Sequence, residues 1–130
     1  MGKIQKKTLH GAPDSTSAVP DNGFLVQCRQ DKDHLQRAAF LAKSLSDGNR
    51  LRIVLLISSG RKSVSAIVEE LNLSQPLVSH HLKELKHSLL VKVEREGPFI
   101  YYELADARIL EVLQILNEVA GDLLSTRKTF

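Results

Sequence analysis

The stretch Leu73–Leu85, LSQPLVSHHLKEL, decides how this chain folds. Its Ser74 is a favourable N-cap, because a serine hydroxyl oxygen accepts a hydrogen bond from an N–H group of the first helical turn. Pro76 lies in that turn, where a missing N–H group costs no hydrogen bond. Apolar residues then recur at helical spacing. The stretch therefore predicts a capped, amphipathic helix.

The two sides of this helix differ in their chemistry. At about 100° per residue, one narrow arc collects the apolar side chains that are predicted to be buried: Val78, Leu82, Leu85 and Leu89. Polar side chains occupy the opposite side, its flank and the exposed first turn: Gln75, Ser79, His80, Lys83, Glu84 and His87. A surface that combines short hydrogen-bonding groups with cations suits the polar edges of base pairs. We therefore predict a recognition helix for DNA.

A shorter helix is predicted directly before this one. Ser63 is its N-cap. Its inner side is apolar and consists of Val64, Ile67, Val68 and Leu71. Because only Asn72 and Leu73 link the two helices, and the second has an exposed polar side, the pair has the order of a helix-turn-helix. The alternative is an ordinary antiparallel helix pair in an all-α core.

After Leu90 the spacing of apolar residues changes from helical to alternating. Val91 and Val93 alternate with charged residues, residues 96–98 turn the chain, and residues 99–104 are aromatic, β-branched and alternating. These features predict a β-hairpin. A hairpin that directly follows a helix-turn-helix is the wing of a winged helix.

Three further helices are predicted. Two of them precede the helix-turn-helix, and the third follows the hairpin. The second helix, residues 50–58, is apolar on nearly every side and is predicted to lie at the centre of the fold. The first helix, from Asp31, has an alanine-rich stripe, and the last helix, residues 106–124, has a long apolar stripe. Because the middle helices and the wing already supply a core, these stripes are surplus apolar surface. We predict a two-fold dimer through the first and last helices; the alternative is that the two helices pack on each other within one subunit.

The predicted fold class is mainly α with a β-hairpin wing, a winged helix-turn-helix in the order α-α-α-α-β-β-α. At 130 residues the chain has room for one domain with a hydrophobic core. Residues 1–30 have few large apolar side chains and are predicted to form a flexible N-terminal arm. Residues 31–124 are the predicted DNA-binding and dimerisation domain, and residues 125–130 a C-terminal tail.

The amino-acid composition indicates the cellular compartment of the protein and the kind of partner that it binds. The formal charge of +3 comes from 18 cations against 15 anions, a mild excess that gives weak support for a nucleic-acid partner. The single cysteine, Cys28, excludes an intrachain disulfide and fits a reducing cytosol. The sequence contains no uninterrupted run of about 18 apolar residues, which a membrane-spanning helix requires. We therefore expect a cytoplasmic protein with no membrane partner.

Three segments resemble the ArsR/SmtB family of winged-helix repressors in order and spacing. They are residues 45–53 (LSDGNRLRI), the Leu73–Leu85 stretch, and residues 97–104 (GPFIYYEL). The resemblance extends over about residues 31–124. It implies a homodimer that binds double-stranded DNA at an imperfect inverted repeat near a promoter and represses until a signal weakens the binding.

The resemblance also implies roles for individual side chains. The residues that would face the major groove are Ser74, Gln75, Ser79, His80 and Lys83. Arg95 would lie toward the wing tip, near the phosphates or the minor groove. Glu94 and Glu96 depart from the family's more basic wing, and carboxylates on both sides of Arg95 are expected to weaken its contact with phosphates. His81 lies at the edge of the buried arc and is expected to pack rather than to read bases.

The two metal sites best known in the family are predicted to be absent. Where many members carry thiolates, this chain has Ser63, Ser65 and Val68, none of which is the soft ligand that arsenite, cadmium or lead requires. The second site uses carboxylates and histidines of the last helix. The positions that correspond to it hold two carboxylates but no histidine: Asp106, Arg108, Val119 and Asp122. We therefore predict no metal and no cofactor.

The function predicted from the sequence is that of a DNA-binding transcriptional regulator, a homodimeric repressor whose releasing signal is not identified. One alternative is a constitutive or redox-responsive regulator, in which Cys28 forms an intersubunit bridge or carries a modified thiol. A metal site of Cys28 with His10 or His34 on the arm has weak support, because it offers one thiol and distant imidazoles. Another is a winged helix that contacts protein or RNA, since a fold does not fix a function. Catalysis is not expected, because the chain has no Gly-x-Ser-x-Gly elbow, no phosphate-binding glycine-rich loop and no His-x-x-x-His pair.

Overall fold

The computed structural model describes residues 22–127. Along this range the elements are α1 (Asn22–Gln30), α2 (Lys32–Ser44), α3 (Gly48–Ile57), β1 (Lys62–Ser63), α4 (Val64–Leu71), α5 (Gln75–His87), β2 (Val91–Glu96), β3 (Phe99–Leu104) and α6 (Arg108–Leu124). The chain divides into two compact units, and the boundary between Ala38 and Ala39 falls inside α2. The winged helix-turn-helix belongs to the second unit.

The first unit contains α1 and the first half of α2. Residues 22–30 of the predicted flexible arm form the helix α1, and the flexibility of the arm stays a prediction. Phe24, Leu25 and Val26 lie within α1, and their side chains are exposed, so this helix was not visible as a buried stripe. Residues 1–21 of the predicted arm, which include His10, and residues 128–130 of the predicted tail lie outside the described range.

The core of the second unit is built around α3. Its Ile53, Val54 and Ile57 are at most 1% exposed, as its apolar composition predicts. The other buried apolar side chains of the cluster come from α4, α5, β2, α6 and the loop before β2: Ile67, Val78, Leu82, Leu85, Leu90, Val91 and Leu113. Burying each such side chain contributes about 1.5–3 kcal/mol. Leu55, on the outer side of α3, is 56% exposed and lines an open cleft between α3 and α6.

Three side-chain caps determine where the middle helices begin. The Asp47 carboxylate accepts hydrogen bonds from the backbone N–H groups of Asn49 (2.8 Å) and Arg50 (3.0 Å) at the start of α3. The Ser63 and Ser74 hydroxyl oxygens accept one each at the starts of α4 and α5. Because each cap satisfies N–H groups that have no partner inside their helix, α3, α4 and α5 begin at defined residues.

The wing is the two longer strands of a three-stranded antiparallel sheet. The strand order is β1-β3-β2, and β2 pairs with β3 from Val91 opposite Leu104 to Glu96 opposite Phe99. Gly97, the first of the two loop residues, has φ of +60°, the conformation that a type II′ hairpin turn requires. The hairpin was predicted; β1 was not, because two residues are too short to show alternation.

Leu89 corrects one prediction about the recognition helix. It was placed on the buried arc, but it is 77% exposed. The helix ends at His87, Leu89 adopts a left-handed φ of 66°, and the N–H group of Leu90 bonds to the carbonyl of Leu85. This bond is typical of a Schellman motif, which reverses the direction of the chain at the end of a helix. As a result Leu90, at 2% exposure, is buried in the core in place of Leu89.

The last helix, α6, is anchored at one point and exposed along the rest of its apolar stripe. Leu113 is buried in the core and Ile109 packs against it. The exposed part of the stripe, at 45–68% relative exposure, consists of Val112, Ile115, Leu116, Val119 and Leu123. No helix within residues 22–127 combines the length and the apolar composition that a membrane span requires.

Candidate nucleic-acid interface

The recognition helix α5 is held on one side and open on the other. Its buried residues are Val78, His81, Leu82 and Leu85, and the helix packs on α3, α4 and β2. Contacts with three elements fix both its axis and its rotation about that axis. The side chains of the opposite side therefore have a defined orientation relative to the wing.

All the side chains that the sequence assigns to DNA are exposed: Ser74, Gln75, Ser79, His80, Lys83 and Arg95. The structure brings the first five together along the outer side of α5 and places Arg95 on strand β2. Ser74 already accepts a bond from the N–H group of Leu77 (3.3 Å), which leaves its hydroxyl proton available to a phosphate or a base. Their contact with DNA stays a prediction.

The electrostatics of this surface favour an anion. The first turn of α5 presents the positive end of the helix dipole, and two lysines, Lys83 and Lys86, follow on its exposed part. None of the ion pairs found between residues 22 and 127 uses Lys83, Lys86 or Arg95. Their charges are therefore available to phosphate groups.

The wing glutamates have a partner that sequence reasoning missed. The Arg61 guanidinium lies 2.6 Å from Glu94 and 2.9 Å from Glu96, and it covers the Tyr101 ring at 4.3 Å from the centroid. Hydrogen bonds to Glu96 and Glu94 raise the pKa of Arg61 above its ordinary value. A contact between residues 33 positions apart leaves no local sequence signal.

Strand register separates Arg95 from these carboxylates. Side chains alternate between the two faces of a strand, so Glu94 and Glu96 share one face of β2 and Arg95 lies on the other. The sequence suggested that the glutamates would oppose the contact of Arg95 with phosphates. In the structure Arg61 binds both carboxylates and offsets one of their two charges, so the wing is less repulsive to phosphates than its sequence suggests.

His81 is buried, as predicted from its place at the edge of the apolar arc. Its ring is 5% exposed and contacts Arg50 and Asp47 at the start of α3. Burial is the largest influence on this imidazole and lowers its pKa below the ordinary value of 6.5. The neighbouring His80 is exposed, with its ring centroid 5.4 Å from that of His81. The consecutive histidines thus have different environments.

The positions that correspond to the family's metal sites are engaged in local structure. The Ser63 hydroxyl caps α4 and lies 3.2 Å from the Ser65 hydroxyl. Asp106 is bound by the Arg108 guanidinium at 2.7 Å, and this hydrogen bond lowers the pKa of the carboxyl to about 2. No group of three or more histidine, cysteine or acidic side chains that could hold a metal ion occurs in the described part of the chain.

Comparison with known proteins gives a family match over the middle of the chain. The family described as "Bacterial regulatory protein, arsR family" matches residues 47–93, from the N-cap of α3 into β2. An uncharacterized HTH-type transcriptional regulator of Methanocaldococcus jannaschii is 36% identical over 85 residues, which are 65% of this chain and 96% of that regulator. The transcriptional repressor SdpR of Bacillus subtilis is 40% identical over 85 residues, 62% of this chain and 94% of SdpR.

A solved structure agrees with the fold. The homodimeric winged helix-turn-helix DNA-binding domain of a possible ArsR-family regulator from Mycobacterium bovis, determined by solution NMR, is 28% identical and has a TM-score of 0.64. The similarity covers 76% of this chain and 92% of that domain.

Proposed function

Because the chain belongs to the arsR family of bacterial regulatory proteins, we propose that it is a homodimeric, sequence-specific DNA-binding repressor of transcription. The observation that carries the proposal is α5: one side is fixed in the core, and the other is an exposed row of hydrogen-bonding and cationic side chains. The M. jannaschii and B. subtilis relatives, named as regulator and repressor, support the same function. Enzymatic activity does not belong to this family.

In this proposal the outer side of α5 enters the major groove. Gln75 has the amide that pairs with adenine, and Lys83 donates to guanine or to a phosphate. His80 and Ser79 add shorter donors and acceptors, and Arg95 reaches the adjacent phosphates or the minor groove from the wing. Direct contacts with base edges supply the sequence preference, whereas phosphate contacts supply most of the affinity.

The dimer supplies the symmetry of the operator. The exposed apolar stripe of α6, with Phe40 and Leu41 from the part of α2 that lies in the second unit, forms the proposed interface. The homodimeric M. bovis domain supports a dimer. A two-fold axis between the subunits would place two recognition helices about 34 Å apart, one turn of B-DNA. The operator is therefore proposed to be an imperfect inverted repeat.

The releasing signal of this repressor is proposed to differ from the metals of the two best-known family sites. The thiolate positions hold serine and valine, and the histidine positions hold arginine and valine. Cys28 is half-buried in α1. A redox role would require a bridge to a second subunit or a modified thiol, since the chain has no other cysteine. The genes beside the coding sequence are the most direct indication of the signal.

The test measures binding to DNA from the protein's own promoter region as a function of salt. Affinity is expected to fall steeply as salt rises, because phosphate contacts release condensed counterions. Gln75→Ala and His80→Ala are each expected to reduce the affinity for the operator by about 1–3 kcal/mol while leaving weak binding to unrelated DNA.

Glu111→Ala, on the exposed side of α6 away from the stripe, is the matched control and should bind like the wild type. Unchanged operator preference in both α5 variants would remove the recognition-helix assignment. A winged helix that binds a protein or RNA instead would show no preference for any promoter fragment.

A further inference from the structure

One contact of the recognition helix lies behind the surface that reads DNA. His81 is on the buried side of α5, and its Nδ1 lies 3.4 Å from Nη1 of Arg50. Its Nε2 lies 3.7 Å from Oδ1 of Asp47. The two ring nitrogens of one imidazole therefore face a cation and an anion at the N-terminus of α3.

The chemistry of arginine defines the form of His81 that this contact requires. A guanidinium only donates hydrogen bonds, so Arg50 can bond to Nδ1 only while that nitrogen has no proton. The proton of the neutral ring is then on Nε2, which faces the Asp47 carboxylate. A second proton, on Nδ1, would replace the bond to Arg50 by a contact between two cations.

Both partners of His81 are themselves bonded to the backbone. Nε of Arg50 donates to the carbonyl oxygen of Ser44 at 2.7 Å, at the end of α2. The Asp47 carboxylate accepts the first N–H groups of α3. His81 thus connects the recognition helix to the corner where α2 ends and α3 begins.

The charged groups around the ring come from α3 and from α5 itself. Burial disfavours the protonated ring most strongly, and Arg50 and His80 act in the same direction. Asp47 and Glu84 oppose them, and the pKa of His81 is lowered on balance. A histidine whose pKa is lowered by folding contributes its full stability at any pH above its ordinary pKa. This contribution is lost as the pH falls through the pKa that the histidine has in the folded state.

We propose that His81 is a positioning residue for DNA binding, whose neutral imidazole fixes the recognition helix to Asp47 and Arg50. The inference rests on the proposed function. Its effect on DNA passes through the exposed side of the same helix, where His80 is its immediate neighbour. Protonation of His81 breaks the bond to Arg50, loosens the rotation of α5 and weakens operator binding.

The experiment compares the operator affinity of the wild type and of His81→Asn between about pH 7.5 and about pH 5.5. The asparagine amide oxygen can accept from Arg50 near the position of Nδ1, and it does not titrate in this range. Both proteins retain His80 and His87, so any contribution of these two side chains to the pH profile is common to both. The ratio of the two affinities therefore isolates His81.

The wild type is expected to lose about three- to tenfold in affinity relative to His81→Asn over this range. At neutral pH, His81→Asn should bind within about threefold of the wild type, whereas His81→Leu, which has no nitrogen, should bind more weakly by about tenfold or more. Circular dichroism and the mass in solution verify that each variant keeps its fold and its dimer.

Parallel pH profiles for the wild type and His81→Asn would overturn the positioning role while leaving DNA binding intact. Wild-type affinity in a folded His81→Leu would overturn it as well; if His81→Leu does not fold, the pH comparison decides. Absence of any operator binding by the wild type at neutral pH would overturn the proposed function, and this inference with it.

Discussion

Leu89 occupies a backbone position that usually belongs to glycine. It follows the C-cap Ser88, its φ is 66°, and its side chain is 77% exposed. The left-handed conformation costs a residue with a Cβ atom about 1–2 kcal/mol. Because the Leu89 side chain is exposed, it gains little free energy from burial within the subunit. The cost of the left-handed conformation is therefore not offset there.

We therefore expect Leu89→Gly to stabilise the folded protein by about 0.5–1 kcal/mol, which is the relief of strain less the greater entropy that glycine loses on folding. Urea unfolding at one protein concentration measures the change, since the stability of a dimer depends on concentration. Leu89→Ala is the control: it removes the same exposed side chain but keeps the Cβ atom. Equal stability of the Gly and Ala variants would refute the strain argument.

Among the elements, the wing shows how a side chain that is distant in sequence changes the charge that a strand presents. Strand β2 carries Glu94 and Glu96 on one face, where phosphates would be repelled if the carboxylates were free. Arg61, from the segment between α3 and β1, binds both carboxylates and lies over Tyr101. The alternation of the strand places Arg95 on the face opposite these carboxylates, and Arg61 offsets one of their two charges.

Arg61→Gln should weaken operator binding by about three- to tenfold, because it frees two carboxylates on an element that is proposed to approach phosphates. Adding Glu94→Gln and Glu96→Gln to this variant should restore the affinity. The measurement is the dissociation constant at a fixed salt concentration. If the triple variant stays as weak as Arg61→Gln, Arg61 itself contacts DNA and the neutralisation argument is wrong.

At the scale of the whole molecule, the exposed apolar stripe of α6 requires a partner surface. Five large apolar side chains of one helix are each at least 45% exposed, from Val112 to Leu123. A contiguous apolar surface of this kind is typical of an interaction site. A second copy of the chain is the proposed occupant, because a two-fold pair of recognition helices fits an inverted repeat.

Val119→Glu should convert a dimer into a species of 14.5 kDa, the mass of one chain, because it places a carboxylate in the middle of the proposed interface. Operator affinity should fall by about a hundredfold or more, since each recognition helix then binds alone. Sedimentation at micromolar concentration gives the mass. Gln114→Glu adds the same charge on the other side of α6 and should remain dimeric; a monomeric wild type would refute the dimer.

Much of the fold and the outer side of the site follow from local sequence. Ser63 and Ser74 mark the starts of α4 and α5, helical spacing marks their buried sides, and alternation marks the hairpin. These features are predictable because caps, periodicity and turns involve residues a few positions apart. The exposure of His80 and the burial of His81 follow from the same helical geometry.

What only the tertiary structure decided is the set of contacts between residues far apart in sequence. The bonds of Arg61 to Glu94 and of Arg50 to His81 join residues that are 33 and 31 positions apart. No pattern of residue spacing in the sequence predicts these contacts. The outward turn of Leu89 depends on where α5 ends and on which leucine the core accepts. The sequence by itself determined the helices and the hairpin of the winged helix-turn-helix and which side of α5 is polar. Packing determined which charges are paired and which cation contacts the buried His81.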